Sequence, residues 1–183
     1  GIEIHHIKLI NKKGGKSDFK DRFRKEITAA VVVCSDTISK GQKEDKAGNA
    51  IIEKLESCNV SISDYIIIPD EKEIIKEKAQ HYVEKDTDLI IFTGGTGLSS
   101  RDVTPEALEE LIERKIPGVE EAIRNYGQNR TPYAMLSRSV AGTIKNSLVL
   151  ALPGSTNGAR ESMDAIFPEV MHVFGIMKGA RHK

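Results

Sequence analysis

Cysteine is scarce in this chain of 183 residues: only Cys34 and Cys58 are present, with neither metal-ligand spacing nor a C-x-x-C pair. A disulfide framework and a zinc module are thereby excluded. Charge of one sign is also missing. Lys plus Arg number 27 and Asp plus Glu number 27, so no global field favours nucleic acid or an anionic membrane. Long apolar runs are absent, Ala29-Ala30-Val31-Val32-Val33-Cys34 being typical. Nothing approaches the roughly 18 residues of a membrane span, and no signal-peptide pattern is read at the start. The five histidines, His5, His6, His81, His172 and His182, lack the spacing of a zinc enzyme. Gly15-Lys16-Ser17 imitates the end of a P-loop, but Ile10 occupies the position of its first glycine. No G-x-S-x-G elbow and no internal repeat is found. What remains is a chain with 30% charged and 39% hydrophobic residues, a globular balance. At this length about 70% of the unfolded surface can be buried without staples. A cytoplasmic protein is the expectation.

The order of elements is legible from periodicity. Residues 27–34 are small, apolar and rich in β-branched types, as in a strand covered on both faces. A polar loop over 35–48 leads to a helix carrying Ile51, Ile52 and Leu55 on one side. Strands are expected at 60–68 and 88–92, with a helix at 71–85 between them. Thr104 and Pro105 read as N-cap and first position of a helix reaching about Arg114. Another helix opens at Pro117 or Gly118 and runs towards Tyr126. Residues 139–144 and 147–152 read as two strands around Lys145-Asn146. From Thr156 a helix is expected to the end, with Met163, Ile166, Val170, Val173, Phe174 and Met177 on one face. Such alternation predicts an α/β fold of three layers, a mostly parallel sheet with helices on both faces. Ligands of such sheets bind beyond the carboxyl ends of the strands, which singles out loops 35–48, 69–70, 93–104 and 153–158.

Thr93-Gly94-Gly95-Thr96-Gly97 is the strongest local feature. Glycines straight after a buried strand allow positive φ and close backbone approach, and successive N–H groups there can cradle a phosphate. A tight surface turn is the other reading. Downstream, Ser99, Ser100, Arg101 and Asp102 set hydroxyls, a guanidinium and a carboxylate beside a helix start. Arg can grip phosphate and Asp can hold Mg²⁺ between phosphates; alternatively Asp102 pairs with Arg101 or assists the helix cap. Asp70 ends another strand and could converge with Asp102, or could simply cap the helix beginning near Glu71. Cys34, within a buried strand, reads as a small apolar residue.

Together these stretches resemble the MoaB/MogA family of molybdenum-cofactor biosynthesis proteins, which includes the gephyrin G-domain. The resemblance rests on Val33–Thr37, Glu44–Gly48, Ile68–Glu71, Thr93–Gly97, Arg101–Ala107, Met135–Arg138 and Leu152–Ser155, in family order. It implies a domain over 27–183 that transfers AMP from Mg-ATP to the terminal phosphate of molybdopterin, releasing pyrophosphate. By motif position, Asp70 and Asp102 match carboxylates tied to catalysis and Mg²⁺, and Arg101 is assigned to charge stabilisation. Gly94, Gly95, Thr96 and Gly97 match the glycine loop, with Ser99 beside it. Ser35, Asp36, Asp45 and Gly48 match nucleotide-side loops, and Pro153, Gly154 and Ser155 match another ligand-lining turn. Ala47 stands where the family often has serine. A pterin-binding or assembly protein without turnover is the alternative. The resemblance further implies a homo-oligomer, trimer or dimer of trimers, and a molybdenum-insertion protein as partner. Residues 1–23 form a separate arm, in which Ile7–Phe19 resembles the C-terminal end of MoaC, the cyclic pyranopterin monophosphate synthase. A MoaC–MoaB fusion is the expectation from that likeness, with no synthase activity from the arm alone.

Overall fold

The computed structural model describes residues 26–179; the arm over 1–23 and its MoaC likeness lie outside them. Strand β1 (Thr28–Cys34) lies inside the sheet, where its apolar run has a use on each face. Its residues alternate. Ala29 and Val31 join one core and Ala30, Val32 and Cys34 the other. The remaining strands are β2 (Ser61–Ile68), β3 (Leu89–Thr93), β4 (Arg114–Lys115), β5 (Val140–Ile144) and β6 (Ser147–Leu152). They form one six-stranded sheet in the order β2-β1-β3-β6-β5-β4. The neighbours from β2 to β6 pair in parallel, whereas β5 and β4 add antiparallel. The expected mostly parallel, three-layer α/β fold is found.

One core packs α2 (Ala47–Ser57) and α6 (Thr156–Ile166) on the sheet through Ile51, Leu55, Met163 and Ile166. The opposite face holds α3 (Lys72–Glu84) and α4 (Thr104–Glu109) through Ile75, Ala79, Tyr82 and Leu108. Helix α5 (Pro117–Gln128) places Ile123 against the first core. Both faces of every central strand are therefore dry, which accounts for the unbroken apolar runs in β3 and β6.

Several expected boundaries differ. The loop at 35–48 contains a one-turn helix, α1 (Asp36–Ser39), with Ser35 as its N-cap. Helix α4 stops at Glu109 instead of reaching Arg114, because the next residues pair with the sheet edge. Glu113 N donates to Thr143 O at 2.9 Å and Ile116 N to Ala141 O at 2.8 Å. Gly142 makes room for that edge, since a Cβ there would meet Ile112 and come within 2.8 Å of Arg114 O. Thr104 is not an N-cap; Val103 occupies that position and makes no side-chain cap bond. The C-terminal helix breaks at Pro168, which has no N–H to continue it. A 3₁₀ turn (Glu169–His172) and helix α7 (Val173–Met177) follow. The apolar face survives the break, with Met163, Ile166 and Phe174 buried and Val170, Val173 and Met177 packed against them.

Asp45 is 5% exposed, and both its carboxylate oxygens are taken by protein donors. Oδ1 accepts from Gly48 N at 2.9 Å and so opens α2, while Oδ2 accepts from Tyr65 OH at 2.6 Å. Asp45→Ala is expected to lower stability by about 1–3 kcal/mol, through a lost helix cap and an orphaned phenol. Urea denaturation measures this; an unchanged midpoint would show that water replaces both bonds.

Candidate active site at the carboxyl edge of the sheet

The parallel register brings four strand ends level. Cys34 of β1 pairs with Ile68 of β2, Val33 with Thr93 of β3, and Thr93 with Leu152 of β6. The residues that follow, Ser35-Asp36, Pro69-Asp70, Gly94-Gly95 and Pro153-Gly154-Ser155, thus emerge at one edge. Between β1 and β3 the chain changes direction across the sheet, the position where open α/β sheets hold ligands.

The glycine loop is wedged into that crevice. Gly94 has φ +98°, its N–H donates to Leu152 O at 3.0 Å, and a Cβ would overlap the Cys34 carbonyl oxygen. On the other side a Cβ at Gly154 would come within 2.9 Å of the Gly94 α-carbon. Thr93 Oγ1 donates to Pro153 O at 2.8 Å and locks the two turns together. Ser155 is the N-cap of α6, its Oγ accepting from Gly158 N at 3.1 Å. Gly95, with φ +63°, has its carbonyl held by Thr104 N at 3.1 Å. Among the described residues, the amides of Gly95, Thr96 and Gly97 find no acceptor, so they are available to an anion.

Two carboxylates line this loop. A Cβ at Gly95 would come within 3.0 Å of Asp70 Oδ1, and one at Gly97 within 2.7 Å of Asp102 Oδ2. Asp70 does not cap α3; Glu71 holds that position without a side-chain bond. Asp70 Oδ2 accepts from Asp36 N, and Asp36 Oδ1 accepts from Asp70 N, both at 3.1 Å. Asp70 Oδ1 is buried and has no partner. Burial pushes the Asp70 carboxyl above the usual carboxylate range, the Asp36 amide opposes this, and the charges of Asp36 and Asp102 push further upward. Asp102 Oδ2 accepts from Ser99 N at 2.9 Å.

Arg101 pairs with neither Asp102 nor Asp70. Its Nε and Nη2 donate to Asp36 Oδ2 at 3.1 and 2.6 Å, and this guanidinium holds the Asp36 carboxyl below its usual range. Arg101 is 61% exposed in its side chain, so it can exchange that partner for an incoming anion at little cost. Asp45 and Gly48, by contrast, are occupied with building the start of α2.

Arg138 is not singled out by the sequence, although its segment carries the resemblance. Its Nε donates to Gly97 O at 2.8 Å, Nη2 to Asp102 O at 2.9 Å, and Nη1 meets Glu106. One side chain therefore clamps the glycine loop, Asp102 and α4. A lone arginine 41 residues beyond Gly97 gives no sequence signal of that reach. Cys34 is buried as expected, and burial pushes its thiol up to about 12.

The residues at this edge fit a divalent cation. Asp70 Oδ1 is an anionic oxygen with no other use, and nearby negative charge would be relieved by a cation. Among the described residues no group of three or more His, Cys, Asp or Glu side chains could enclose a metal. Any such ion would depend on two carboxylates together with phosphate oxygens and water, the habit of Mg²⁺. None of the described helices is long and apolar enough to cross a membrane.

Known proteins share this chain's sequence and fold. The molybdenum-cofactor family profile described as "Probable molybdopterin binding domain" matches residues 30–172. Molybdenum cofactor biosynthesis protein B of Staphylococcus aureus is 37% identical over 157 residues, spanning 83% of this chain and 92% of that protein. The molybdenum cofactor biosynthesis bifunctional protein of Chlorobaculum tepidum is 35% identical over 99% of this chain, which spans only 57% of that longer relative. The crystal structure of the MoaB enzyme from Thermus thermophilus superposes with a TM-score of 0.79 at 39% identity, covering 86% of this chain and 99% of that one. The chain belongs to the MoaB/MogA family of molybdenum-cofactor biosynthesis proteins.

Proposed function

We propose that this edge adenylylates molybdopterin, using Mg-ATP and releasing pyrophosphate. The observation that carries the reading is the pair Asp70 and Asp102 facing one glycine loop whose amides are unclaimed. In the reaction a terminal phosphate oxygen of molybdopterin attacks the α-phosphorus of ATP. The new P–O bond forms as the bond to pyrophosphate breaks. An ionised phosphate needs no protein base, so positioning and charge neutralisation suffice. The amides of Gly95, Thr96 and Gly97 orient phosphate oxygens, and Arg101 leaves Asp36 to meet developing negative charge. Asp70 and Asp102 would hold Mg²⁺, which supplies neutralisation of the phosphates when bound. Asp36 sets the angle of Asp70 through their reciprocal amide bonds.

Ala47 favours neither this reading nor a pterin-binding protein without turnover. It is 4% exposed and lies in the core at the start of α2, so a hydroxyl there would face packed side chains. The discriminating assay incubates purified protein with Mg-ATP and molybdopterin and follows adenylylated product and pyrophosphate. Product is expected. No product at any Mg²⁺ concentration, with molybdopterin binding intact, would leave the binding protein.

The alignment with the bifunctional relative covers 99% of this chain and so extends into the arm over 1–23. We take this as support for a MoaC–MoaB fusion in which the present domain is one of two activities. A homo-oligomer and a molybdenum-insertion partner remain part of the same proposal.

A further inference from the structure

Residues 97–102 carry Arg101 and Asp102, yet core packing does not hold them. Gly97 to Arg101 are all exposed, Leu98 by 72%, and the stretch belongs to no helix or strand. Its internal bonds close a turn: Asp102 N donates to Ser99 O at 3.0 Å, and Ser99 N to Asp102 Oδ2 at 2.9 Å. Those bonds give the turn a shape without fixing where it sits. Placement comes from its two ends. Arg138 Nε donates to Gly97 O at 2.8 Å and Nη2 to Asp102 O at 2.9 Å, so one edge of one guanidinium grips both. Among the described residues neither carbonyl has another donor. The third nitrogen, Nη1, meets Glu106, which compensates the charge and ties the clamp to α4. The base of the clamp is firm, because Arg138 stands two residues before β5, with Ser139 and Val140 buried.

We infer that Arg138 is a positioning residue for the reaction: it sets the ends of the 97–102 turn, and through them Arg101 and Asp102, at the distance that transfer requires. The inference rests on the adenylylation reading above. A planar guanidinium presents two parallel donors at fixed spacing, whereas an ammonium on a flexible stem does not. Misplacing a reacting group by about 1 Å can cost about a hundredfold in rate, so a loosened turn is felt in turnover.

The test is Arg138→Lys, which keeps the charge and loses the fork. Hydrogen exchange read by mass spectrometry should become at least about fivefold faster over residues 97–103 and stay unchanged over β3. In the adenylylation assay kcat per folded molecule should fall by at least about tenfold, with KM for Mg-ATP within about threefold. The loss falls in kcat because Arg101 and Asp102 act on charge that develops during transfer. Parent-like exchange over 97–103 would overturn the inference, because lysine would then hold the turn as well. So would a parent kcat per folded molecule, whether KM rises or the urea midpoint falls, since Arg138 would then serve only binding or the fold. Both results leave the adenylylation reading intact. If the parent chain itself forms no product, that reading fails and this inference fails with it.

Discussion

Gly94→Ala should lower the free energy of unfolding by about 3 kcal/mol or more, the sum of a strained left-handed backbone and an unrelieved overlap. Its φ is +98°, and the atom its Cβ would strike is the backbone carbonyl of Cys34, which cannot rotate away. Cys34 ends β1, which is paired on both sides, so relief would require moving β1 against β3. Gly118→Ala is the matched control. That glycine lies near the start of α5 with ordinary φ and open space around it, so alanine should be neutral or stabilising by a few tenths to about 1 kcal/mol. Urea denaturation of both variants decides the matter; a Gly94→Ala midpoint equal to the parent's would refute the wedge at the crevice.

Asp102→Asn should lose turnover by at least about tenfold with the fold retained, because charge that stabilises the transferring adenylyl group is removed. The amide oxygen can still accept from Ser99 N, so the loop keeps its shape. Asp70→Asn should lose turnover similarly while becoming more stable than the parent. The sign follows from burial: Asp70 is raised in the folded state, so its ionised form opposes folding above the unfolded carboxylate range. An asparagine oxygen can still accept from Asp36 N, so the turn keeps its shape. Product formation and urea midpoints on the same preparations read both effects. Full turnover in either variant would take that carboxylate out of the mechanism, and a destabilised Asp70→Asn would contradict the account of its strained charge.

The strands were legible because burial on both faces leaves a strong residue-level trace, as in Leu89-Ile90-Ile91-Phe92, all fully buried. The carboxylates and the glycine loop were legible because strand ends must gather at one edge of a parallel sheet. What escaped notice depends on contacts remote in sequence. Helix α4 ends early because Glu113 and Ile116 find acceptors on β5, which no local propensity announces. Helix α1 is four residues long, too short for an amphipathic period. Asp45 and Asp70 are alike as letters, yet one is spent on Gly48 and Tyr65 while the other keeps an idle oxygen. Arg138 reaches three partners that only folding brings within its span.

The level ends of β1, β2, β3 and β6 make the cleft a composite of stretches scattered across most of the described polypeptide. On the proposed function, no subfragment would hold enough of it to grip a nucleotide. If the proposed function holds, recognition should be all-or-none with respect to completion of the sheet: capacity for substrate arrives with the last strand to dock and vanishes with the first to detach. Bound substrate, in turn, must resist the opening of the whole unit rather than of a single loop.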